Sequence, residues 1–498
     1  MLFNSYPFIL AFLPLAFLGF HLLRGFGFER QSVFFLVFMS LAFYGWWNAI
    51  YLLLLVPLML ANYGLAAMIL SRRVARPASA KLLLSAGVAA NLATLGYFKY
   101  ANFFVDNLNA LFGLDLFLAQ IVLPLGISFF VFQKIAFLVD AWQGRVERLN
   151  LLDYSLFVTF FPQLIAGPIV HHSEVLPQFR RGGAVPWPYL AMGLTIFAIG
   201  LAKKVLLADT AATFATPQFD AAAAGAQLDM LAAWSGALAY TAQLYFDFSG
   251  YTDMAIGAGL LFGIRLPINF DSPYKATSII DFWRRWHITL SRFLRDYLYL
   301  PLGGNRKGPA RRHVNLFIVM LLGGFWHGAG WTFVVWGALH GFYLALNHGW
   351  RALRARLGLA DSYGRSGRFA AGAVTFLAVV VAWVFFRAAD VTAATAMLKA
   401  MTGVNGFVMP AAAHGSANTG LGLLVAGALL LLAWLAPNTQ QIAGYVGPHS
   451  AHGPAAAAAP ASPLRWRPNL RWAAMAGGLF GVGLISLSKV SEFLYFQF

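Results

Sequence analysis

Cysteine is absent from these 498 residues, so the eleven histidines are the side chains best suited to exchange a proton near neutral pH. Three of them, His287, His327 and His340, are set in aromatic and apolar sequence. His171 and His172 follow an apolar run, and His414, His449 and His452 lie in low-complexity connections, where solvated loop histidines are the expectation. A neutral imidazole can take the proton of an alcohol as that oxygen attacks a thioester or ester carbonyl. A dry surrounding favours the neutral, basic form it needs. The alternative for His327, beside Trp326, is a plain interhelical hydrogen bond near a tryptophan cluster. No metal site is expected: there is no thiolate and no compact His/Glu cluster, and thirteen residues separate His327 from His340, which is not a chelating spacing on one helix. The signatures of serine hydrolases and of Walker-type phosphate loops are missing too.

The elements that must position His327 come from 314–350, flanked by Arg311 and Arg312 before and by Arg351, Arg354 and Arg356 after. Basic flanks on both sides put both ends in the cytoplasm. Each arm then has ~15–19 residues, about 23–28 Å of helix. The Gly-Ala-Gly turn at 328–330 would sit deep, and His327 immediately precedes it. Irregular backbone at that depth is tolerated where it is buried or lines a wet cavity.

Two further stretches carry polar chemistry. The apolar run 228–264 exceeds one ordinary span and contains Asp247 and Asp253, so two short helices with a polar break are expected. The acids either face a bundle interior or a wet cavity, or cap helix ends near an interface. Residues 281–312 hold eight Lys or Arg, Arg284 through Arg312, against Asp281 and Asp296, with apolar and aromatic residues between them. Such a segment lies at the cytoplasmic interface, where Arg284, Arg285, Arg292 and Arg295 either meet anionic lipid and fix topology or hold a phosphate-bearing ligand.

Composition makes the membrane the solvent. Sixty per cent of residues are hydrophobic, 11% are charged, and 16% are aromatic, against about 25% charged residues in a soluble domain. The net charge of +17 clusters between apolar runs, as cytoplasmic loops require, and no basic stripe alternates with exposed aromatics, so nucleic acid is excluded as a partner. Candidate spans are 7–23, 31–50, 51–70, 82–98, 116–139, 151–170, 188–208, 369–386, 419–436 and 472–489. The first, without a basic n-region or cleavage site, reads as a retained helix with its N-terminus outside. The Pro/Ala/Gly-rich stretch 438–470 reads as a flexible loop.

The pattern WRRWHITLSRFLRDYLYLPLGGNR at 283–306, with LLGGFWHGAGWTFVVWGALHG at 321–341, resembles the membrane-bound O-acyltransferase family. LGYFKYANFF (95–104), LPLGISFFVFQ (123–133), FFPQLIAGPI (160–169), AYTAQLYFDFSGYTDMAIG (239–257) and the closing FLYFQF (493–498) add to the likeness. Within the family the chain is most similar to the branch serving bacterial alginate O-acetylation, with the teichoic acid D-alanylating branch more distant. The resemblance implies an all-α polytopic fold: one domain over 1–498 with its core at about 90–390, and a ring of tilted helices around a thinned centre holding a short catalytic hairpin. It implies a catalytic His327 and a second functional position at His287. It also implies a cytoplasmic acyl donor, acetyl-CoA, used as substrate with no resident cofactor, and partner proteins outside that act on an extracytoplasmic polysaccharide. The setting would be the bacterial inner membrane, in contact with its lipids. The competing expectation is a transporter or flippase of a lipid-linked glycan, which broken helices and buried acids also fit. A scaffold for an outside transferase is a third.

Overall fold

The computed structural model describes residues 1–359, 363–407, 417–448, 464–488 and 494. Among them the protein is all-helical. The helices of seven or more residues are α1 Pro7–Gly25, α2 Glu29–Gly45, α3 Ala49–Arg72, α4 Pro77–Phe112, α5 Ile127–Gln143, α6 Leu151–Thr159, α7 His172–Phe179, α8 Trp187–Ala223 and α9 Met230–Leu261. They continue as α10 Ile279–Arg285, α11 Ile288–Leu294, α12 Gly308–His327, α13 Trp331–Arg356, α14 Arg365–Arg387, α15 Val391–Met401, α16 Ala417–Leu435 and α17 Leu470–Ile485. Five of these, α1, α3, α4, α8 and α14, are long and apolar enough to cross a membrane.

Most expected spans coincide with helices, but two do not. Residues 116–126 are not helical, because asparagines on α4 take over backbone hydrogen bonds of this stretch. Asn109 exchanges two 2.9 Å bonds with the Leu116 amide and carbonyl, and Asn102 Oδ1 accepts from Ile121 N–H at 3.0 Å. In 151–170, α6 stops at Thr159: Phe160 turns out of the helix with ψ 109°, and Phe161 N–H donates to Ser40 Oγ at 3.2 Å just before Pro162. The expected break in 228–264 is absent. α9 is one helix of 32 residues, about 48 Å long, so Asp247 and Asp253 cap no helix end. Of the loop 438–470, residues 449–463 lie outside the described residues, as do His414, His449 and His452.

The described chain forms two compact units. The first comprises Met1–Leu201, Tyr251–Ile268 and Ala443–Val490. Its core is an aromatic cluster in which Phe12 and Phe161 meet edge to face at 5.1 Å and Phe3 stacks on Tyr251 at 4.7 Å. Asn62 and Asn91 join α3 to α4 by reciprocal side-chain bonds of 2.7 and 3.3 Å, the kind of polar link that fixes helix pairs in an apolar solvent. Buried Asp253 belongs to this unit. So do His171 and His172, which are not solvated loop histidines: both turn onto the buried Asp140 carboxylate at the end of α5, and His172 itself is buried.

The second unit comprises Ala202–Gly250, Asn269–Ile442 and Ser491–Phe498. At its centre α12 and α13 form a hairpin whose helices stop at His327 and restart at Trp331. A Cβ at Gly324 would collide with the Phe333 carbonyl oxygen, and one at Gly337 would lie 2.5 Å from the Met320 carbonyl oxygen, so these two glycines set how closely the backbones cross. The arms, at 20 and 26 residues, are longer than expected because both helices continue into their basic flanks.

Candidate active site

His327 is the last residue of α12, where extended Gly328 ends the helix, and its side chain turns into the aromatic core of the second unit. Its ring lies 5.1 Å from Trp336 and 5.2 Å from Phe386, both edge to face, and 5.0 Å from its neighbour Trp326. Trp336 comes from α13 and Phe386 from α14, so three helices wall this imidazole with ring faces. It is buried, with 5% of its surface exposed.

His287 stands next to it, ring centres 6.3 Å apart. It occupies the joint between α10 and α11 and has φ 44°, a left-handed conformation that costs a non-glycine residue energy and recurs at functional sites. The chain beside it holds that geometry: Ile288 N–H donates to the Asn269 carbonyl and Asp271 N–H to the Arg285 carbonyl, each at 3.0 Å. Asn269 also fixes the ring. Its Oδ1 accepts from Thr289 N–H at 3.2 Å and from Thr289 Oγ1 at 2.7 Å, which identifies it as the oxygen. His287 Nδ1, 3.2 Å from the same oxygen, must therefore carry the hydrogen. Nε2 is left with the lone pair, buried and without a hydrogen-bond partner among the described residues.

His340 and Trp326 share this core. The Trp283 indole N–H donates to His340 Nδ1 at 3.2 Å, and His340 packs 4.7 Å from Trp336 and parallel to Phe282. It is part of the aromatic wall. Asp247 lies in the same unit but answers to other residues: Lys204 Nζ lies 2.6 Å from its Oδ1 and 2.7 Å from Asp209, and Leu494 N–H donates to Asp247 Oδ2 at 3.3 Å. This is a buried ion pair carried by α8 and α9, with the Leu494 amide bonded to it.

The basic segment is not one converging cluster. Arg285 is bonded to Asp281 at 2.9 Å and to the Asp271 carbonyl at 3.3 Å. Arg295 grips Asp296 through two bonds of 2.7 and 3.2 Å, which hold its guanidinium above the usual arginine range. Arg284 is exposed and Arg292 half-buried. Asn269, Trp336 and Phe386 belong to the site although sequence reasoning did not single them out. Of the three, only Asn269, a polar residue in an otherwise apolar stretch, left a trace to follow.

Residues 39–388 match the family model described as MBOAT, membrane-bound O-acyltransferase family. The chain is 46% identical over 436 residues to the peptidoglycan O-acetyltransferase of Helicobacter pylori, covering 82% of this chain and 80% of that one. It is 46% identical over 407 residues to the "Probable alginate O-acetylase" of Pseudomonas putida, covering 80% of each. The teichoic acid D-alanyltransferase of Streptococcus thermophilus is 28% identical over 241 residues, 45% of this chain and 57% of that one. The match spans the helices that carry both histidines and the hairpin, and the chain belongs to the membrane-bound O-acyltransferase family as a polytopic membrane O-acyltransferase.

Proposed function

We propose that the protein moves an acetyl group from cytoplasmic acetyl-CoA toward a hydroxyl of an extracytoplasmic polysaccharide such as alginate, from the bacterial inner membrane. The observation that carries this reading is the pairing of His327, at the hairpin turn, with a His287 whose bare Nε2 is buried beside it. His327 acts as general base. The acceptor O–H gives its proton to the imidazole as the oxygen forms a bond to the thioester carbon. The C–S bond then breaks, and the leaving sulfur takes the proton back as a thiol. His287 Nε2 accepts a hydrogen bond from a neighbouring hydroxyl of the acceptor sugar and so aims the attacking one. The aromatic walls exclude water, which would otherwise hydrolyse the thioester.

The hairpin turn, reached from both faces of a locally thin membrane, spares the acyl group a full crossing. Exposed Arg284 is the residue of this segment best placed by charge to meet the donor's phosphates, since Arg285 and Arg295 already bind acids. Partner proteins outside complete the transfer onto the glycan. A peptidoglycan acceptor is the second reading, supported by a relative of that name whose identity equals that of the alginate relative. Family membership favours acyl transfer over glycan transport. Membranes carrying His327→Ala, supplied with acetyl-labelled CoA, should insert the protein normally and lose label transfer. Full transfer in that variant would overturn the assignment. Wild-type label appearing in glycan strands of the wall, with none in secreted polysaccharide, would decide for the second reading.

A further inference from the structure

The first unit holds a histidine cluster that acyl transfer does not use. Asp140, on the last turn of α5, is buried, and His171 and His172 stand at the start of α7. His171 Nε2 lies 2.8 Å and His172 Nδ1 3.1 Å from the same carboxylate oxygen, Asp140 Oδ2. One ligand atom from each residue can be chosen so that all three lie within 4.8 Å of one another.

The outer nitrogens are anchored. His172 Nε2 faces the Arg145 carbonyl at 3.3 Å, and His171 Nδ1 pairs with Ser173 Oγ at 2.8 Å. This is the arrangement of metal-binding imidazoles, whose far nitrogen is fixed by a carbonyl or hydroxyl while the near one points at the ion. Arg145 bonds the other carboxylate oxygen, Oδ1, at 3.2 Å and leaves Oδ2 to the histidines. Around a tetrahedral zinc with bonds of about 2.0–2.1 Å, ligand atoms stand about 3.3 Å apart. The observed 2.8 and 3.1 Å edges need only a small outward adjustment. The His171 and Arg145 side chains are 24% and 55% exposed, so the cluster has an open side for entry.

We infer that Asp140, His171 and His172 form a zinc site that staples the end of α5 to the start of α7, with a water completing the tetrahedron. Two imidazoles and one carboxylate without thiolate suit zinc better than magnesium or calcium, which take oxygen ligands. Zinc takes the two ring nitrogens that face Asp140 Oδ2. Any hydrogen they carry toward the carboxylate leaves to solvent as a proton, and each ring keeps its hydrogen on the outer nitrogen. This departs from the sequence expectation of no metal, and it stands apart from the His327 chemistry.

The test uses the purified full-length chain in detergent, stripped with a chelator. Zinc is titrated against a chromophoric competitor, and cobalt(II) is used as a visible probe of coordination geometry. The expected result is one zinc per chain and the intense visible bands of four-coordinate cobalt. His172→Gln, which keeps a hydrogen-bonding side chain, should weaken zinc at least about 100-fold, and Ser173→Ala about 10-fold by loosening the His171 ring. Cobalt bands on the unmutated protein support the site even if a variant fails to fold. No bound zinc in the unmutated chain, octahedral cobalt spectra, or equal affinity in folded His172→Gln would overturn it.

Discussion

His327 and His172 are both buried histidines, yet their surroundings differ in kind. Around His327 stand rings from three helices, with a second imidazole 6.3 Å away. Around His172 one carboxylate gathers two imidazoles and a guanidinium. Ring walls exclude water from an imidazole whose proposed task is to pick up a proton and hand it on. A carboxylate grips whatever donor it faces, and suits a group meant to stay put. The contrast predicts that the two clusters fail differently. His327→Ala should lower acetyl transfer about 10³-fold, near 4 kcal/mol of barrier, with the protein still folded in the membrane. A variant that kept more than a tenth of the activity would collapse the distinction. Asp140→Ala should show first in stability, by about 1–3 kcal/mol, since it leaves buried donors without an acceptor. Thermal unfolding in detergent measures it, and an unchanged midpoint would mean that the carboxylate holds nothing.

The sequence made some of this visible and hid the rest for physical reasons. The hairpin was legible because basic residues bracket an apolar stretch and Gly328–Gly330 interrupt it; the helices break where expected. His327 and His287 were legible as imidazoles in apolar sequence. The Asp140 cluster was not: 31 residues separate Asp140 from His171, and only the folded break after α6 brings them together. Neither was the continuity of α9, because Asp247 finds its partner Lys204 on another helix, and no local pattern reports such pairing. The arginines of 281–312 looked equivalent in sequence. The fold gives Arg285 and Arg295 each a bonded acid and leaves the Arg284 side chain exposed.

Asn269 gives a finer test of the aromatic-walled cluster, because it acts through His287 and not on substrate. With Asn269→Ala the ring loses the acceptor that keeps the hydrogen on Nδ1, so Nε2 carries the lone pair only part of the time. Transfer should fall about 10-fold, the loss appearing in kcat with the donor KM unchanged, since binding of CoA does not involve this ring. Asn269→Asp, which restores an acceptor oxygen, should recover part of the rate. An equal loss in both variants would assign Asn269 to packing alone.

The smallest effect is expected at His340, and it separates wall from catalyst within one cluster. His340 is as buried as His287 and lies 4.7 Å from the same Trp336 that faces His327. Proximity alone would therefore rank it as a participant. Its Nδ1, however, already accepts the Trp283 indole hydrogen, so that nitrogen is not available as a base. His340→Phe should preserve the parallel packing on Phe282 and leave the Trp283 N–H without an acceptor, at a cost of about 1–3 kcal/mol in stability. Transfer per folded molecule should stay within about 3-fold, a change of roughly 0.7 kcal/mol. His340→Gln, which can offer Trp283 an oxygen, should be the more stable of the two at similar activity. If His340→Phe instead loses transfer as deeply as His327→Ala while remaining folded, the ring wall itself carries protons, and the line drawn between ring-walled and carboxylate-held histidines must be redrawn around three imidazoles.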